Sequence, residues 1–280
     1  MTVYFTETQK RRLVELNASG EDAQAGFADE KLRDLAFRQL EQDLIRRGRK
    51  DLKHLLDMRR KTLVQTVTED LCSWLTLQEG FTQVSTPTII TAQQLDKMTI
   101  TGDHALRSQV FWVDDKHCLR PMLAPNLYMV MQQIRRISGE SVRIFEVGSC
   151  FRKESQGAKH LNEFTMLNLV ELGAGEDGYQ MERLEELAHH AMDAAGIRDY
   201  ELVREDSTVY KETIDIEAGG IEIASGSYGP HELDSAWGVF DTWVGLGIGI
   251  ERAALVKGEF KTIKHVGRST TYLDGVPLKL

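Results

Sequence analysis

The chain has 280 residues and a formal net charge of −9, with 28% charged and 41% hydrophobic residues. This length fits one large domain, or a main domain with a small helical appendage. The acidic balance argues against indiscriminate nucleic-acid binding, although a local basic patch remains compatible with it. The three cysteines, at positions 72, 118 and 150, lack metal-ligand spacing, and no apolar run is long enough to span a membrane. We therefore expect a reduced, cytoplasmic protein with no membrane partner.

The first 60 residues are predicted to form a helical region that precedes a main domain over residues 61–280. Thr6 is typical of the N-cap of a helix over 6–17, and a second helix is predicted over 22–46. A basic run follows: Arg46, Arg47, Arg49, Lys50, Lys53, Arg59, Arg60 and Lys61. The run is either a solvated helix face or a contact surface for the phosphate backbone of an RNA.

The main domain begins with a predicted amphipathic helix over 61–79, which Gly80 ends. A short strand over 81–84 and then Pro87 come next. A further strand is predicted over 109–113.

Pro125 is predicted to start a helix over 126–137. Four residues near its start repeat at helical spacing: Ala124, Leu127, Tyr128 and Met131. Such a stripe either packs in the core or lines a ligand pocket.

Residues 142–172 are predicted to form two strands joined by a polar loop over 155–160. Alternation along the second strand places four side chains on one face: Phe164, Met166, Asn168 and Val170. Arg152, at the end of the first strand, carries a planar set of donors suited to phosphate. Glu154 can accept from an amino group, so this hairpin has the chemistry of a nucleotide site on a sheet face.

A helix over 181–195 and several strands complete the predicted order, with strands over 200–203, 213–217 and 221–225. Gly245, Gly247 and Gly249 then alternate along a last predicted strand. Glycines weaken a strand, and this spacing is useful only if a flat group must approach the strand backbone closely. Arg252 follows in the first turn of the next helix. Mostly antiparallel strands with helices before and after predict an α+β fold.

Three signals in this order resemble motifs 1, 2 and 3 of the class II aminoacyl-tRNA synthetases. They are the helix, Gly80, strand and Pro87; Phe151-Arg152-Lys-Glu154 with Asn162-Glu-Phe164; and the glycine series that ends at Glu251-Arg252. Segments 120–128, 151–155 and 163–168, with Trp243, narrow the resemblance to the pyrrolysyl-tRNA synthetases. Segments 16–20, 155–158 and 269–276 are most similar to the catalytic fragment of the split bacterial enzyme, and the short archaeal form is the alternative within the family.

The resemblance implies a class II catalytic fold, an antiparallel sheet flanked by helices, over residues 61–280. It implies activation of pyrrolysine, or a close lysine derivative, by ATP with Mg²⁺, and transfer of the aminoacyl group to an amber-suppressing tRNA. It also implies a homodimer built on residues 61–87. The region 1–60 is expected to contact tRNA, with a separate small protein supplying a further tRNA-binding function.

For the nucleotide, the resemblance implies roles in catalysis for Arg152, Glu222 and Arg252. The full ATP-binding set is Arg152, Glu154, His160, Leu161, Phe164, Glu222, Ile223, Ser225, Gly249 and Arg252. Glu222 and Ser225 are the expected Mg²⁺ residues. Strict alternation puts them on opposite faces of their strand, so we expect a bulge or twist between them.

For the amino acid, the resemblance implies a mostly apolar pocket, in which Asn168 binds the side-chain amide and Tyr210 acts as a lid. Its residues are Ala124, Leu127, Tyr128, Met131, Asn168, Val170, Tyr210, Ser227, Trp243 and Gly245. After Ser225 the family usually has small apolar residues, whereas this chain has Gly226-Ser227-Tyr228. Either Tyr228 reshapes the pocket or it points into the core.

Two other functions stay open at this stage. One is a catalytically silent paralogue that binds RNA or regulates a partner, and the other is an ATP-dependent amide-forming enzyme that needs no tRNA. A silent paralogue would be free to lose Arg152, Glu222 or Arg252, and all three are present. The basic run weighs against the second alternative.

Overall fold

The computed structural model describes residues 2–58, 61–153, 160–173, 177–207 and 211–280. The chain divides into two compact units, one of residues 1–62 with 269–280 and the other of residues 63–268. In the described part of the chain, no helix combines the length and apolar character that crossing a membrane requires.

The helices are Glu7–Glu15 (α1), Gly20–Ala23 (α2), Glu30–Asp57 (α3), Leu63–Leu77 (α4), Ala92–Lys97 (α5), Ala105–Ser108 (α6), Ala124–Ser138 (α7), Gln180–Ala195 (α8) and Ile250–Lys257 (α9). Short 3₁₀ helices cover Glu232–Trp237 and Ile263–His265. The strands are Val3–Tyr4 (β1), Gly26–Phe27 (β2), Thr82–Gln83 (β3), Ile89–Thr91 (β4), His117–Leu119 (β5), Val142–Phe151 (β6), Glu163–Leu172 (β7), Glu201–Ser207 (β8), Lys211–Ala218 (β9), Ile221–Gly229 (β10), Trp243–Gly249 (β11), Tyr272–Leu273 (β12) and Val276–Pro277 (β13).

The first unit is built on α1 and the long helix α3. Thr6 caps α1 as predicted, and its side chain and that of Gln9 form a reciprocal capping box. The buried side chains of this unit are Phe5, Leu13, Leu16 and Leu44. Residues 269–280 also belong to this unit. Within it, the Asn17 side-chain amide donates to the Gly275 carbonyl at 2.8 Å.

The predicted bounds of the second helix, 22–46, are wrong at both ends. Asp29 caps a helix that starts at residue 30, because residues 26 and 27 pair with β1 instead. The helix continues to residue 57 through Gly48, where a Cβ atom would lie 2.7 Å from the Leu280 side chain. Glycine weakens this helix locally, but it allows close packing.

The second unit contains a seven-stranded sheet in the order β3-β6-β7-β11-β10-β9-β8. Every neighbouring pair is antiparallel except β3 and β6, which are parallel. The predicted α+β fold and the predicted hairpin of β6 and β7 are confirmed. Gly80, predicted to end a helix, follows α4 with φ of 71°, and Gly196 follows α8 with φ of 72°.

Each face of this sheet has its own apolar core. Helices α4, α8 and α9 contribute to a cluster that includes Leu71, Leu187 and Ala254. Helix α7 contributes to a second cluster, which includes Tyr128, Met131 and Val170. The candidate site is lined by this sheet and helix α7, and α9 contributes Arg252.

The predicted strand over 109–113 is wrong. Within it, Trp112 forms an isolated bridge with Cys118. The Gln109 carbonyl accepts from the Lys153 N–H at 2.7 Å, so its hydrogen bond goes to the end of β6 rather than to a partner strand. The Asp114 carboxylate also closes the following turn by accepting from the N–H groups of Lys116 and His117.

Candidate active site

One cavity of about 260 Å³ is lined by every described residue of the predicted ATP-binding and amino-acid-binding sets. From the ATP set these are Arg152, His160, Leu161, Phe164, Glu222, Ile223, Ser225, Gly249 and Arg252. From the amino-acid set they are Ala124, Leu127, Tyr128, Met131, Asn168, Val170, Ser227, Trp243 and Gly245. Glu154 and Tyr210 lie outside the described residues, as does most of the loop 155–160. The two predicted sets therefore form one continuous site.

Arg152 lies at one end of the cavity, just after β6. Its Nε donates to the Pro121 carbonyl at 2.9 Å, and its guanidinium lies 5.3 Å from the centre of the Phe164 ring. Cation–π contact and the backbone bond hold the guanidinium plane beside the aromatic face. A planar cation next to an open ring is suited to a phosphate and an adenine base in adjacent positions.

Arg252 and Glu222 also line the cavity and contact each other. The Arg252 Nη1 donates to the Glu222 carbonyl oxygen at 3.0 Å and lies 3.4 Å from the Glu222 Oε1 atom. About 47% of the Glu222 side chain is exposed, yet the protein around it desolvates the carboxyl enough to raise its pKa. Arg252 opposes that shift, and Asp215 adds to it by like-charge repulsion.

The predicted irregularity between Glu222 and Ser225 is confirmed as a β-bulge. Glu222 pairs with Glu217 on β9, and Ala224 pairs with the adjacent Ile216, so Ile223 is an extra residue in β10. The alternation shifts by one position at this point. Glu222 and Ser225 therefore both line the cavity.

Asn168 lies near the middle of β7, opposite Glu146 on β6 and Gly247 on β11. Its Oδ1 atom is buried and has no hydrogen-bond partner within the described residues. A Cβ atom at Gly247 would lie 3.0 Å from the Asn168 Nδ2 atom. The glycine series on β11 thus leaves room for this amide, which is available to a polar group entering the cavity.

Tyr128 and Trp243 form the aromatic end of the cavity. Their rings are edge-to-face with centroids 5.8 Å apart, and Tyr128 stacks on Trp237 at 5.4 Å. The Tyr128 hydroxyl donates to Asp234 Oδ1 at 2.8 Å, and the Trp243 Nε1 donates to Asp234 Oδ2 at 2.7 Å. Sequence reasoning missed Asp234, because it lies in a short 3₁₀ helix with no periodic pattern.

The alternatives for Tyr228 are resolved by the strand geometry. Ser227 is buried and lines the cavity. Tyr228 faces the other side of β10 and packs against the core that includes Leu71, Leu187 and Ala254. Of these two residues, Ser227 contributes its side chain to the cavity surface, and Tyr228 contributes to the core.

Sequence reasoning also missed part of the cavity wall. The additional lining residues are Met122, Met166, Leu169, Thr213, Gly226, Leu246, Gly247, Glu251 and Ile263. The alternation that selected Phe164 and Asn168 already placed Met166 on their face, so that residue could have been included. Glu251 is nearly fully buried and accepts from the Thr165 N–H at 2.8 Å and the Thr165 hydroxyl at 2.9 Å. Burial raises the pKa of the Glu251 carboxyl.

Comparison with known proteins places this geometry in a family. Residues 54–225 match the family described as the phenylalanyl tRNA synthetase beta chain CLM domain. The crystal structure of pyrrolysyl-tRNA synthetase from Desulfitobacterium hafniense is 49% identical with a TM-score of 0.89, and the match covers 100% of both chains. The chain belongs to the pyrrolysyl-tRNA synthetase family.

A second structure from the same organism, PylSc, described as a pyrrolysyl tRNA synthetase, is 48% identical with a TM-score of 0.87. That match covers 100% of this chain and 96% of the other. As a member of the pyrrolysyl-tRNA synthetase family, the chain has the class II synthetase fold and is an aminoacyl-tRNA ligase. The predicted resemblance to the catalytic fragment of the split bacterial enzyme is confirmed.

Proposed function

We propose that this enzyme activates pyrrolysine, or a close lysine derivative, with ATP and transfers it to the 3′ end of its tRNA. The observation that carries the proposal is that one continuous cavity is lined by both kinds of residue. Arg152, Glu222 and Arg252 line it beyond the Gly249 end of β11. Trp243, at the other end of that strand, lines it together with Tyr128 and aliphatic side chains. One end suits a triphosphate and the other a long side chain with a ring. Their continuity supports a reaction between the two substrates.

In the first step, an oxygen of the amino-acid carboxylate attacks the α-phosphorus of ATP. The bond from that phosphorus to its leaving oxygen breaks, pyrophosphate departs, and an aminoacyl adenylate remains. Arg152 is proposed to hold the α-phosphate as negative charge grows there. Arg252 and Phe164 are proposed to bind the two faces of adenine, and positioning with charge stabilisation supplies most of the acceleration.

In the second step, a hydroxyl of the terminal ribose of the tRNA attacks the adenylate carbonyl carbon and AMP leaves. His160 and Leu161, at the end of the hairpin loop, lie on the cavity wall near its nucleotide end. Glu154 and Tyr210, which lie outside the described residues, are proposed to read the adenine amino group and to cover the amino-acid ring.

Mg²⁺ fits the oxygen donors at the nucleotide end. The bulge brings the Glu222 carboxylate and the Ser225 hydroxyl to the same cavity. No cluster of three or more His, Cys, Asp or Glu that could hold a metal occurs among residues the structure describes. Mg²⁺ commonly takes one or two carboxylates and completes its shell with phosphates and water. When bound, it would neutralise charge on the phosphates.

Substrate choice is proposed to depend on Asn168. Its amide lies among apolar walls, where an unpaired polar group is unfavourable. A substrate whose own side-chain amide pairs with Asn168 satisfies both partners, whereas a substrate without one leaves Asn168 unpaired. Ser227 adds a hydroxyl to the same pocket.

The tRNA is proposed to contact the N-terminal region, residues 1–60. Four cations of α3, at positions 46, 49, 50 and 53, have the spacing that places them on one helix face, and all four are exposed. Their clustering on an acidic chain supports a phosphate-binding surface. If it is one, charging should weaken more steeply with salt than adenylation does, and replacing Arg49 and Lys50 with alanine should reduce that difference.

Two further partners are proposed on the family resemblance. The segment 61–87 is proposed to form a homodimer interface, and Leu77 at the end of α4 is an exposed apolar residue there. Sedimentation showing monomer alone at working concentration would contradict it. A separate small tRNA-binding protein is the other proposed partner, and we propose that the enzyme works in the cytoplasm.

The deciding experiment is ATP–pyrophosphate exchange with pyrrolysine, followed by charging of its tRNA. Exchange that depends on pyrrolysine, with subsequent charging, supports the proposal. Exchange without charging of any tRNA would favour the tRNA-independent amide-forming alternative. The absence of exchange with pyrrolysine and with every close lysine derivative would overturn the proposal in favour of a silent paralogue.

A further inference from the structure

Asp234 is a buried carboxylate that does not line the cavity yet holds two residues that do. It is 1% exposed and lies in the 3₁₀ helix Glu232–Trp237. One oxygen accepts from the Tyr128 hydroxyl at 2.8 Å, and the other accepts from the Trp243 Nε1 at 2.7 Å and from the His231 N–H at 2.5 Å. A carboxylate has acceptor sites enough for these three donors at once.

The two cavity residues come from distant parts of the chain. Tyr128 lies on α7 and Trp243 on β11, and the Tyr128–Asp234 bond joins positions 106 residues apart. Both aromatic side chains are buried. Ring contacts alone leave an aromatic side chain free to slide, whereas a hydrogen bond from its polar tip fixes the direction of the ring.

Removal of the carboxylate would take away the acceptor that the Tyr128 hydroxyl and the Trp243 indole N–H share. Losing a buried acceptor is unfavourable, so both rings would turn toward other acceptors. Because these rings form the wall of the cavity at its aromatic end, its outline would change there. Arg152, Glu222 and Arg252 belong to other elements, which leaves the nucleotide end intact.

We propose that Asp234 is a positioning residue that sets the shape of the amino-acid end of the cavity by fixing Tyr128 and Trp243. The inference rests on the proposed function, because it assumes that this end binds the amino acid. It assigns to Asp234 an influence on amino-acid affinity and selectivity and none on ATP affinity. Asp234 acts through the two rings and does not touch the substrate.

The test compares Asp234→Ala and Asp234→Asn in ATP–pyrophosphate exchange, with KM measured separately for pyrrolysine and for ATP. Asp234→Ala should raise the KM for the amino acid by about tenfold or more, the equivalent of one lost buried hydrogen bond, and leave the KM for ATP unchanged. Asp234→Asn should restore most of the loss. Its oxygen can accept from Trp243 and His231, while its NH₂ donates to the Tyr128 hydroxyl, which can also accept.

Asp241→Ala is the matched control. Asp241 accepts from Arg135 Nε and Nη2 of α7, each at 3.0 Å, and so joins the same helix to the segment before β11 through a residue other than Tyr128. Its loss should leave both KM values unchanged. An equal rise in amino-acid KM in Asp241→Ala would assign the effect to general loosening and overturn the proposal.

Two further outcomes separate this inference from the function on which it rests. A wild-type enzyme with normal exchange and an Asp234→Ala variant with unchanged amino-acid KM would overturn the role of Asp234 alone. A wild-type enzyme without exchange would overturn the proposed function, and the inference would fall with it. If Asp234→Ala does not fold, Tyr128→Phe replaces it, because losing that hydroxyl removes the bond from Asp234 that fixes the direction of the ring and should raise the amino-acid KM.

Discussion

Arg120 and Glu146 form an ion pair of 2.8 Å in which the two side chains are only 4% and 2% exposed. Thr86 completes the site: its N–H and its hydroxyl both donate to the Glu146 carboxylate. The Arg120 Nε donates to the Ser149 carbonyl at 2.9 Å. Glu146 on β6 lies directly opposite Asn168 on β7. The Arg120–Glu146 ion pair therefore supports the part of the sheet that carries Asn168, the proposed selectivity residue.

Glu146→Ala is expected to lower the free energy of unfolding by about 3–5 kcal/mol, because it leaves the Arg120 charge buried without a partner. Urea denaturation followed by circular dichroism would measure the change. The pair of Arg135 with Asp241 is partly exposed, so Asp241→Ala should lower stability by no more than about 1 kcal/mol. Similar losses in the two variants would contradict this assignment.

The buried Glu251 gives a pH-dependent prediction. Desolvation raises the pKa of Glu251 in the folded protein above the ordinary value of 4.5. At a pH between the unfolded-state pKa and this raised folded-state pKa, the folded state therefore binds more protons than the unfolded state. The stability contributed by this group therefore falls as pH rises through that window. Glutamine does not titrate, and its amide can both accept from and donate to Thr165.

Accordingly, the free energy of unfolding of Glu251→Gln relative to wild type should increase as pH rises from 4.5 and level off once the folded carboxyl is ionised. Denaturation at several pH values would measure it. A difference that stays constant, or that shrinks with rising pH, would show that the Thr165 bonds outweigh the effect of burial.

Arg152→Ala should reduce kcat/KM for pyrophosphate exchange by roughly 10²–10³-fold with every amino acid, since the lost interaction is with the reacting phosphate. The ratio of rates between two amino acids should not change. Lys153→Ala is a suitable control, because that cation is adjacent in sequence but lies 5.6 Å from the Phe111 ring centre and away from the cavity. A loss of the same size in both variants would point to the strand end rather than to the guanidinium.

Asn168→Ala should broaden substrate choice. The kcat/KM ratio between pyrrolysine and a lysine derivative that lacks the side-chain amide should fall by about tenfold or more, because the wild-type amide disfavours any substrate that leaves it unpaired. Exchange with both substrates at a fixed ATP concentration would measure the ratio. A uniform fall for both substrates would instead assign Asn168 to the architecture of β7.

Ser227 and Tyr228 are adjacent but face opposite sides of β10, so their variants should separate. Ser227→Ala should change the preference between amino acids and leave the KM for ATP unchanged. Tyr228→Ala should lower the free energy of unfolding by roughly 1–3 kcal/mol through lost apolar burial, with no effect on substrate preference. A change in ATP affinity in either variant would give this part of β10 another role.

The parts of the site that the sequence predicts are those with a local period. Alternation along β7 selected Phe164 and Asn168, because side-chain direction in a strand follows from position alone. The same rule exposed the conflict between Glu222 and Ser225 and so predicted a bulge. Arg152 and Arg252 were expected in the site from the resemblance to the class II motifs.

The parts that the sequence does not predict depend on contacts between distant positions. Asp234 gains its role from Tyr128, 106 positions away, and nothing in its own segment has a repeating pattern. Helix α3 continues beyond the predicted end at residue 46 and passes through Gly48, a residue that weakens a helix but here packs against Leu280. In both cases tertiary packing overrides the local preference.

Ile223 is the extra residue of the bulge, and its side chain is buried in the core. If it were deleted, Glu222 and Ala224 would become neighbours opposite Glu217 and Ile216, and β9 and β10 would form an uninterrupted ladder with the same residues on each face. Glu222 would keep its place opposite Glu217, so the register alone would not carry it away from Arg252. What the deletion removes is the local bend that an extra residue gives a strand, and such a bend can re-aim a side chain. A variant without Ile223 therefore asks whether the bend, rather than the residue types, directs the Glu222 carboxylate toward Arg252, from which it lies 3.4 Å away.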